Sequence, residues 1–246
     1  MAKVAPTGLA ALDKALMSGL PKGFTVLVTG SPGAGLELFA KQFAAAGARD
    51  ESVVYFTTSE RDEDIVGTMQ DFGWKSDLTI VNIGNRYYET VLARRLEASR
   101  FRLEGLSIKD LQKIRAQDAG VRRDVNFLTA LSYEISQLKP PFRVVVDTLD
   151  FFLEYYDPAE VLSALRTVKA HVKRAEGLAL LTMLGAVHDA RVQSGVEEIV
   201  DCIFELERVR DGATFNRNLV IRKVRNHPEK TGIHPLALTR DGLEIQ

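Results

Sequence analysis

The stretch Thr25-Val26-Leu27-Val28-Thr29-Gly30-Ser31-Pro32-Gly33-Ala34-Gly35-Leu36-Glu37-Leu38-Phe39-Ala40 decides how the chain is read. It runs from an apolar β-branched segment through a glycine-rich turn into an apolar-periodic segment, which predicts strand, loop and helix. Gly30 and Gly35 fit the frame G-x-x-x-x-G, in which loop amides and a helix N-terminus cradle phosphate. The frame then calls for Lys and Ser or Thr. The chain has Leu36 and Glu37 instead. The backbone cradle, Gly30, Ser31, Pro32, Gly33, Ala34 and Gly35, is therefore written without its two chemical side chains. Glu37 brings a negative charge to where phosphate oxygens would lie. At ~4 Å and an effective dielectric of ~20, such a like-charge contact costs on the order of 4 kcal/mol.

Elements alternate outward from this loop. Thr7 is placed to cap a helix with Leu9, Leu12 and Leu16 on one face, ended by Gly19. Leu38–Ala48 and Asp62–Phe72 read as helices, and Ser52–Thr58 and Leu78–Ile83 as strands. Phe142–Leu149 and Gly177–Leu184 are uninterrupted apolar runs, expected of buried parallel strands, with an amphipathic helix at Pro158–Arg174 between them. Ile199–Arg208 and Phe215–Arg225 flank Asp211-Gly212 as a hairpin, and Ile233–Ile245 turns at Asp241-Gly242. The pattern predicts one α/β domain over residues 1–246. Its mainly parallel central sheet has helices on both faces, a three-layer sandwich, and ends in antiparallel hairpins. Residues 86–138 stand apart as a charge-rich helical insertion. It carries Arg94, Arg95, Arg100 and Arg102 among interleaved acids and is read as a solvated face.

Hydrophobic residues make up 46% and charged residues 26% of the 246 residues, ordinary proportions for a globular chain with a substantial core. The formal net charge of -1 gives no overall field for nucleic acid or anionic membrane. The single cysteine, Cys202, excludes an intrachain disulfide and a cysteine metal cluster, and is expected to be a buried, inert thiol. With no apolar run of membrane-spanning length and no signal-type N-terminus, a cytoplasmic location is expected. Trp74 is expected in the core and His171 on the surface.

The chain resembles the RecA/KaiC-like P-loop ATPase superfamily, in the compact single-domain form found mainly in archaea. Besides the loop, three segments carry the likeness: Thr7-Gly8-Leu9 with Leu12-Asp13, Leu16 and Gly19-Leu20-Pro21-Lys22-Gly23; the strand end Tyr55-Phe56-Thr57-Thr58-Ser59-Glu60; and Lys223-Val224-Arg225-Asn226-His227 followed by Gly232-Ile233-His234-Pro235. The resemblance implies roles for several of these residues. Asp147 matches the Walker B acid that serves Mg²⁺; the plain alternative is that it caps the turn after its strand. Asp150 is read as a surface acid. Glu60 holds the second of two strand-end acidic positions, and Ser59 takes the first, where the water-activating Glu stands in active members. The plain alternative is that both open the following helix. Lys223 and Arg225 match a basic pair that reaches a neighbouring subunit's nucleotide in ring-forming relatives. Otherwise they are an exposed basic edge.

The expected function is therefore that of a relative without ATPase activity, a regulatory or scaffolding protein acting through protein partners or oligomerisation. It needs no cofactor, and weak binding of ATP or ADP with Mg²⁺ stays open. Two alternatives remain: a divergent ATPase using Glu37 and Asp147 for Mg²⁺, and a nucleic-acid accessory protein of DNA repair or recombination.

Overall fold

In the computed structural model, residues 3–92 and 126–246 are described. A short ribbon pairs β1 (Val4–Ala5) with β2 (Leu20–Pro21) around α1 (Ala10–Ala15). Thr7 fixes this opening: its Oγ1 accepts from the Leu9 N–H (3.1 Å) and donates to Asp13 (2.8 Å). Then come β3 (Thr25–Gly30), α2 (Leu36–Gly47), β4 (Ser52–Thr57), α3 (Asp62–Asp71), β5 (Thr79–Asn82) and α4 (Ile83–Tyr87), which runs into a π-turn at Tyr88–Leu92. After the second start come α5 (Phe127–Ser136), β6 (Phe142–Asp147), α6 (Asp150–Tyr155), α7 (Pro158–Arg174), β7 (Leu178–Leu184) and α8 (Ala190–Ile199). The chain closes with β8 (Cys202–Asp211), β9 (Thr214–Val224), β10 (Gly232–Thr239) and β11 (Gly242–Ile245). Most of the 86–138 insertion lies outside the described residues; its described ends are helical.

A nine-stranded sheet runs β11-β10-β9-β8-β3-β7-β6-β4-β5. From β8 to β5 the neighbours are parallel; from β8 to β11 they are antiparallel. The inner strands β3 and β6 are buried along their whole length, as their continuous apolar runs require, because helices cover both faces. Side-chain alternation divides the core. Val26 and Val28 of β3 pack with Phe39 and Phe43 of α2, while Leu27 packs with Val161, Leu165 and Val196 of α7 and α8. The β3–α2 loop thus sits at the carboxyl ends of the central strands. Gly30 is required there by close approach: a β-carbon on it would lie 2.4 Å from the Leu206 carbonyl oxygen of β8.

The far end of α2 is anchored by Arg143 on β6, whose side chain is 0% exposed. Its Nε donates to Glu51 (2.7 Å), its Nη1 donates to the Phe43 carbonyl one turn before the end of α2 (2.5 Å), and its guanidinium lies 4.3 Å from the Phe43 ring centre. Burial pulls the Arg143 pKa down, and Glu51 opposes that shift. The expectation for Trp74 holds in part: it is half-buried against the core, stacks on Phe72, and donates to the Asp241 carbonyl. Cys202 is buried, and burial pushes its thiol far above the usual range. His171 is half-buried rather than on the surface, stacked on Phe142 and 3.2 Å from the Leu138 carbonyl.

Candidate functional site

The loop adopts the geometry its glycines require. Gly33 and Gly35 have φ of +77° and +104°, the left-handed region that glycine enters without Cβ strain. Gly35 is the N-cap of α2 and its carbonyl accepts from the Phe39 N–H (2.9 Å). The loop begins with the Gly30 carbonyl tied to the Gly185 N–H (2.9 Å) after β7. The first-turn amides of α2 face outward with the positive end of the helix dipole behind them. So the strand, the glycine turn and the helix start read from the sequence are formed.

The side chains at the two key positions part ways. Leu36 is 7% exposed and packs in the core with Ala34 and Phe39. Glu37 is exposed. Beneath them lies a set of acids already supplied with partners. Asp147, 6% exposed, has Oδ2 accepting from Tyr55 Oη and Oδ1 accepting from Thr182 Oγ1, both at 2.7 Å. Its carboxylate neither caps the turn after β6 nor stands open: it ties β6 to β4 and β7. Burial raises the Tyr55 pKa well above its ordinary value, with Asp147 next and then Glu60 and Glu37 adding negative charge. The Tyr55 hydroxyl therefore stays protonated as a donor.

Glu60 is held as well. Its Oε1 lies 2.6 Å from Lys41 Nζ, an ammonium only 2% exposed in the buried part of α2. Of the two readings of Ser59 and Glu60, the one in which they cap the next helix finds no side-chain cap there. The N-cap position of α3 is Arg61, without a side-chain cap, and Glu60 instead closes the turn through its amide and carbonyl: its N–H donates to Thr57 Oγ1 and its carbonyl accepts from Asn82. Asp150, expected as a surface acid, is a part-buried acceptor for Thr148 Oγ1, the Leu184 N–H and His188 Nε2 (2.5 Å).

Lys223 and Arg225 lie at the other end of the sheet, where Cys202 pairs with Val26 and Val224. Both lie past Ile221, the last β9 residue paired with β10, Lys223 within β9 and Arg225 just after it. Lys223 Nζ donates to the last carbonyls of α8, Glu197 (2.6 Å) and Val200 (2.8 Å), the position at which a cation suits a helix C-terminus. Burial, then Arg225 and Lys169, pull its pKa down. Arg225 Nε pairs with Asp201 (2.5 Å), which also accepts from the Thr25 N–H and Lys169.

A protein-family model described as "ATPase: KaiC" matches residues 5–246. The chain belongs to the KaiC family. It is 28% identical over 244 residues to the circadian clock oscillator protein KaiC of Parathermosynechococcus lividus, covering 97% of this chain and 41% of that protein. It spans less than half the length of that relative. It is also 25% identical over 243 residues to a UPF0273 protein of Sulfurisphaera tokodaii, covering 98% of this chain and 81% of that protein. Its fold matches the crystal structure of a KaiC-like protein from Pyrococcus horikoshii with a TM-score of 0.70 at 20% identity over the whole of both chains. The RecA/KaiC-like resemblance and the α/β fold read from the sequence are borne out.

Sequence reasoning missed Tyr55, Thr182 and Lys41. The first two sit inside apolar strand runs where they read as packing. Lys41 did carry a signal: it is a lone cation between Phe39-Ala40 and Phe43-Ala44 in a helix whose inner face should be apolar.

Around this KaiC-family loop, position 36 is a buried leucine, each oxygen of Asp147 accepts one hydrogen bond, and Glu60 is paired with Lys41. Among the described residues, no group of three or more His, Cys, Asp or Glu side chains is placed to hold a metal ion. Also among the described residues, no helix is long and apolar enough to cross a membrane.

Proposed function

We propose that this KaiC-family domain does not turn over ATP and acts as a regulatory or scaffolding element through contacts with other protein chains. The observation that carries the reading is the Asp147 carboxylate, held on both oxygens by Tyr55 and Thr182. Each of its oxygens gives up one of its two acceptor sites to a neighbouring strand. It is a tie between three strands. Lys41 does the same to Glu60, the nearest acid to the place of a general base. The chain keeps the shape of the site and spends its charges internally.

The same observation weakens the alternative of a divergent ATPase, since Glu37 would be left as the sole open acid of the pair. In the resemblance, assembly with like or unlike subunits accompanies the fold, which supports a role through partners. A titration tests the reading: Mn²⁺ is added to the chain with ATP and free Mn²⁺ is followed by electron paramagnetic resonance. The expected loss of signal equals that caused by ATP alone. A further protein-dependent site that disappears in Asp147→Asn would overturn the reading.

A further inference from the structure

The hairpin of β8 and β9 outruns the sheet that carries it. β3 pairs with β8 only as far as Leu206, and β10 pairs with β9 only as far as Arg217. β8 and β9 stay paired beyond both points, to Asp211 and Thr214. Residues 207–216 are therefore a two-stranded arm with both edges open. Such a ribbon has little stability of its own in water. Strand alternation sorts its charges by face. Phe204 and Leu206 of β8 pack on the α2 side, which puts Arg208 and Arg210 on that side as well. Arg217 lies directly opposite Arg208, and Phe215 opposite Arg210, so β9 adds a third arginine and a ring to the same face. The acids take the other face, where Asp211 accepts from Asn216 and Glu207 lies opposite Asn218. The Arg208 guanidinium carbon lies 3.8 Å from the centre of the Phe215 ring, and Arg210 Nε donates to the Gly212 carbonyl. Among the described residues, no carboxylate lies within 4.0 Å of any of these three guanidinium groups. Like charges directly opposite each other on a ribbon destabilise it. Here Arg208 and Arg217 oppose each other, Arg210 follows two residues on, and no acid shares their face.

We propose that the arginine face of this arm is a contact surface for the phosphate backbone of duplex DNA, held without reading its sequence. A guanidinium fork meets two phosphate oxygens at once and keeps its charge at any ordinary pH. Arg208 and Arg210, two residues apart on one strand, are roughly 7 Å apart along it, close to the axial rise of two phosphates on one DNA strand. A stiff duplex presents phosphates at such fixed intervals. Single strands are held largely by stacking their bases on aromatic rings. Phe215 is the arm's one aromatic ring, and Arg208 already covers it. The formal net charge of -1 gives no attraction at long range, so binding is set by these local contacts. The inference is independent of whether ATP is turned over.

Fluorescence anisotropy of the whole chain with a short labelled DNA duplex of mixed sequence tests this across about 50 to 200 mM salt. Three phosphate contacts predict a Kd between about 1 and 100 μM and a slope of log affinity against log salt of about -2.7. Arg208→Gln and Arg210→Gln should each make that slope shallower by about 1 and weaken binding roughly 5- to 10-fold near 0.1 M salt. Arg208→Lys keeps the charge and should keep the slope. Lys173→Gln removes one exposed positive charge beside Gly23, before β3 begins and at the opposite end from the arm, and should leave the slope unchanged. A single strand of the same length should bind more weakly. Circular dichroism checks that the variants keep the fold. The proposal is overturned if the duplex is not bound at the lowest salt, which would leave the face to an acidic protein segment. It is equally overturned if Arg208→Gln and Arg210→Gln bind like the unchanged chain, if Lys173→Gln lowers the slope as they do, or if the single strand binds as tightly as the duplex. Steady ATP hydrolysis would instead overturn the reading of inactivity and leave the arginine comparison standing.

Discussion

Replacing Asp147 by Ala is expected to lower stability by about 3–5 kcal/mol in the absence of any nucleotide or metal, because two buried hydroxyl groups lose a charged acceptor. Tyr55 Oη and Thr182 Oγ1 each point at this carboxylate from a different strand, and β6 lies between β4 and β7. For a chain of this size the loss corresponds to a fall in melting temperature of roughly 10 °C. The sign discriminates between roles. An acid kept for a metal sits among like charges in the unliganded protein, and its removal is neutral or stabilising. A structural acceptor costs stability when removed. Tyr55→Phe combined with Asp147→Ala should cost less than the sum of the single changes, since both remove the same hydrogen bond. A thermal melt in which Asp147→Ala matches or exceeds the unchanged chain would show that Asp147 is not the tie described here.

Arg143→Met is expected to cost a similar amount, about 3–5 kcal/mol, because removing one partner of a buried ion pair strands the other. Glu51, 8% exposed, would keep only Lys22 at 4.0 Å, and the Phe43 carbonyl, one turn before the end of α2, would lose the bond from Arg143. α2 is the helix whose start forms the loop, so the consequence reaches the site. The double change Arg143→Met with Glu51→Leu should recover part of the loss, since an apolar pair of similar volume avoids the uncompensated charge. Urea unfolding monitored by tryptophan fluorescence measures both. A cost below about 1 kcal/mol for the single change, as at an exposed pair, would mean that the pair does not anchor α2.

Much of this was legible in the chain. The apolar runs at Thr25–Gly30, Phe142–Asp147 and Leu178–Leu184 could only be buried parallel strands, and the turns at Asp211-Gly212 and Asp241-Gly242 placed the hairpins. Short pieces escaped notice. The two-residue strands β1 and β2 have no pattern length, and α6 and α8 lie in stretches that earned no assignment. The loop could be found, and so could its missing lysine, because both are local in sequence. What fills the site was not legible. Tyr55 and Asp147 are 92 residues apart, Thr182 and Asp147 are 35 apart, and Lys41 and Glu60 are 19 apart. Each contact depends on strand order and on which face a side chain takes, which single-sequence periodicity does not supply. Lys223 and Arg225 show the same limit from the other side. Their alternation marked them as a pair, but only the fold shows that they are tied to the end of α8 and to Asp201.

We propose that the acids of this KaiC-family site, Asp147 hydrogen-bonded by Tyr55 and Thr182 and Glu60 paired with Lys41, do not serve ATP hydrolysis. Phosphate release from Mg²⁺–ATP by the purified chain tests it most directly. The account predicts release indistinguishable from that of buffer at every ATP concentration. Steady release that saturates with ATP and is abolished by Glu37→Gln or Asp147→Asn would contradict it.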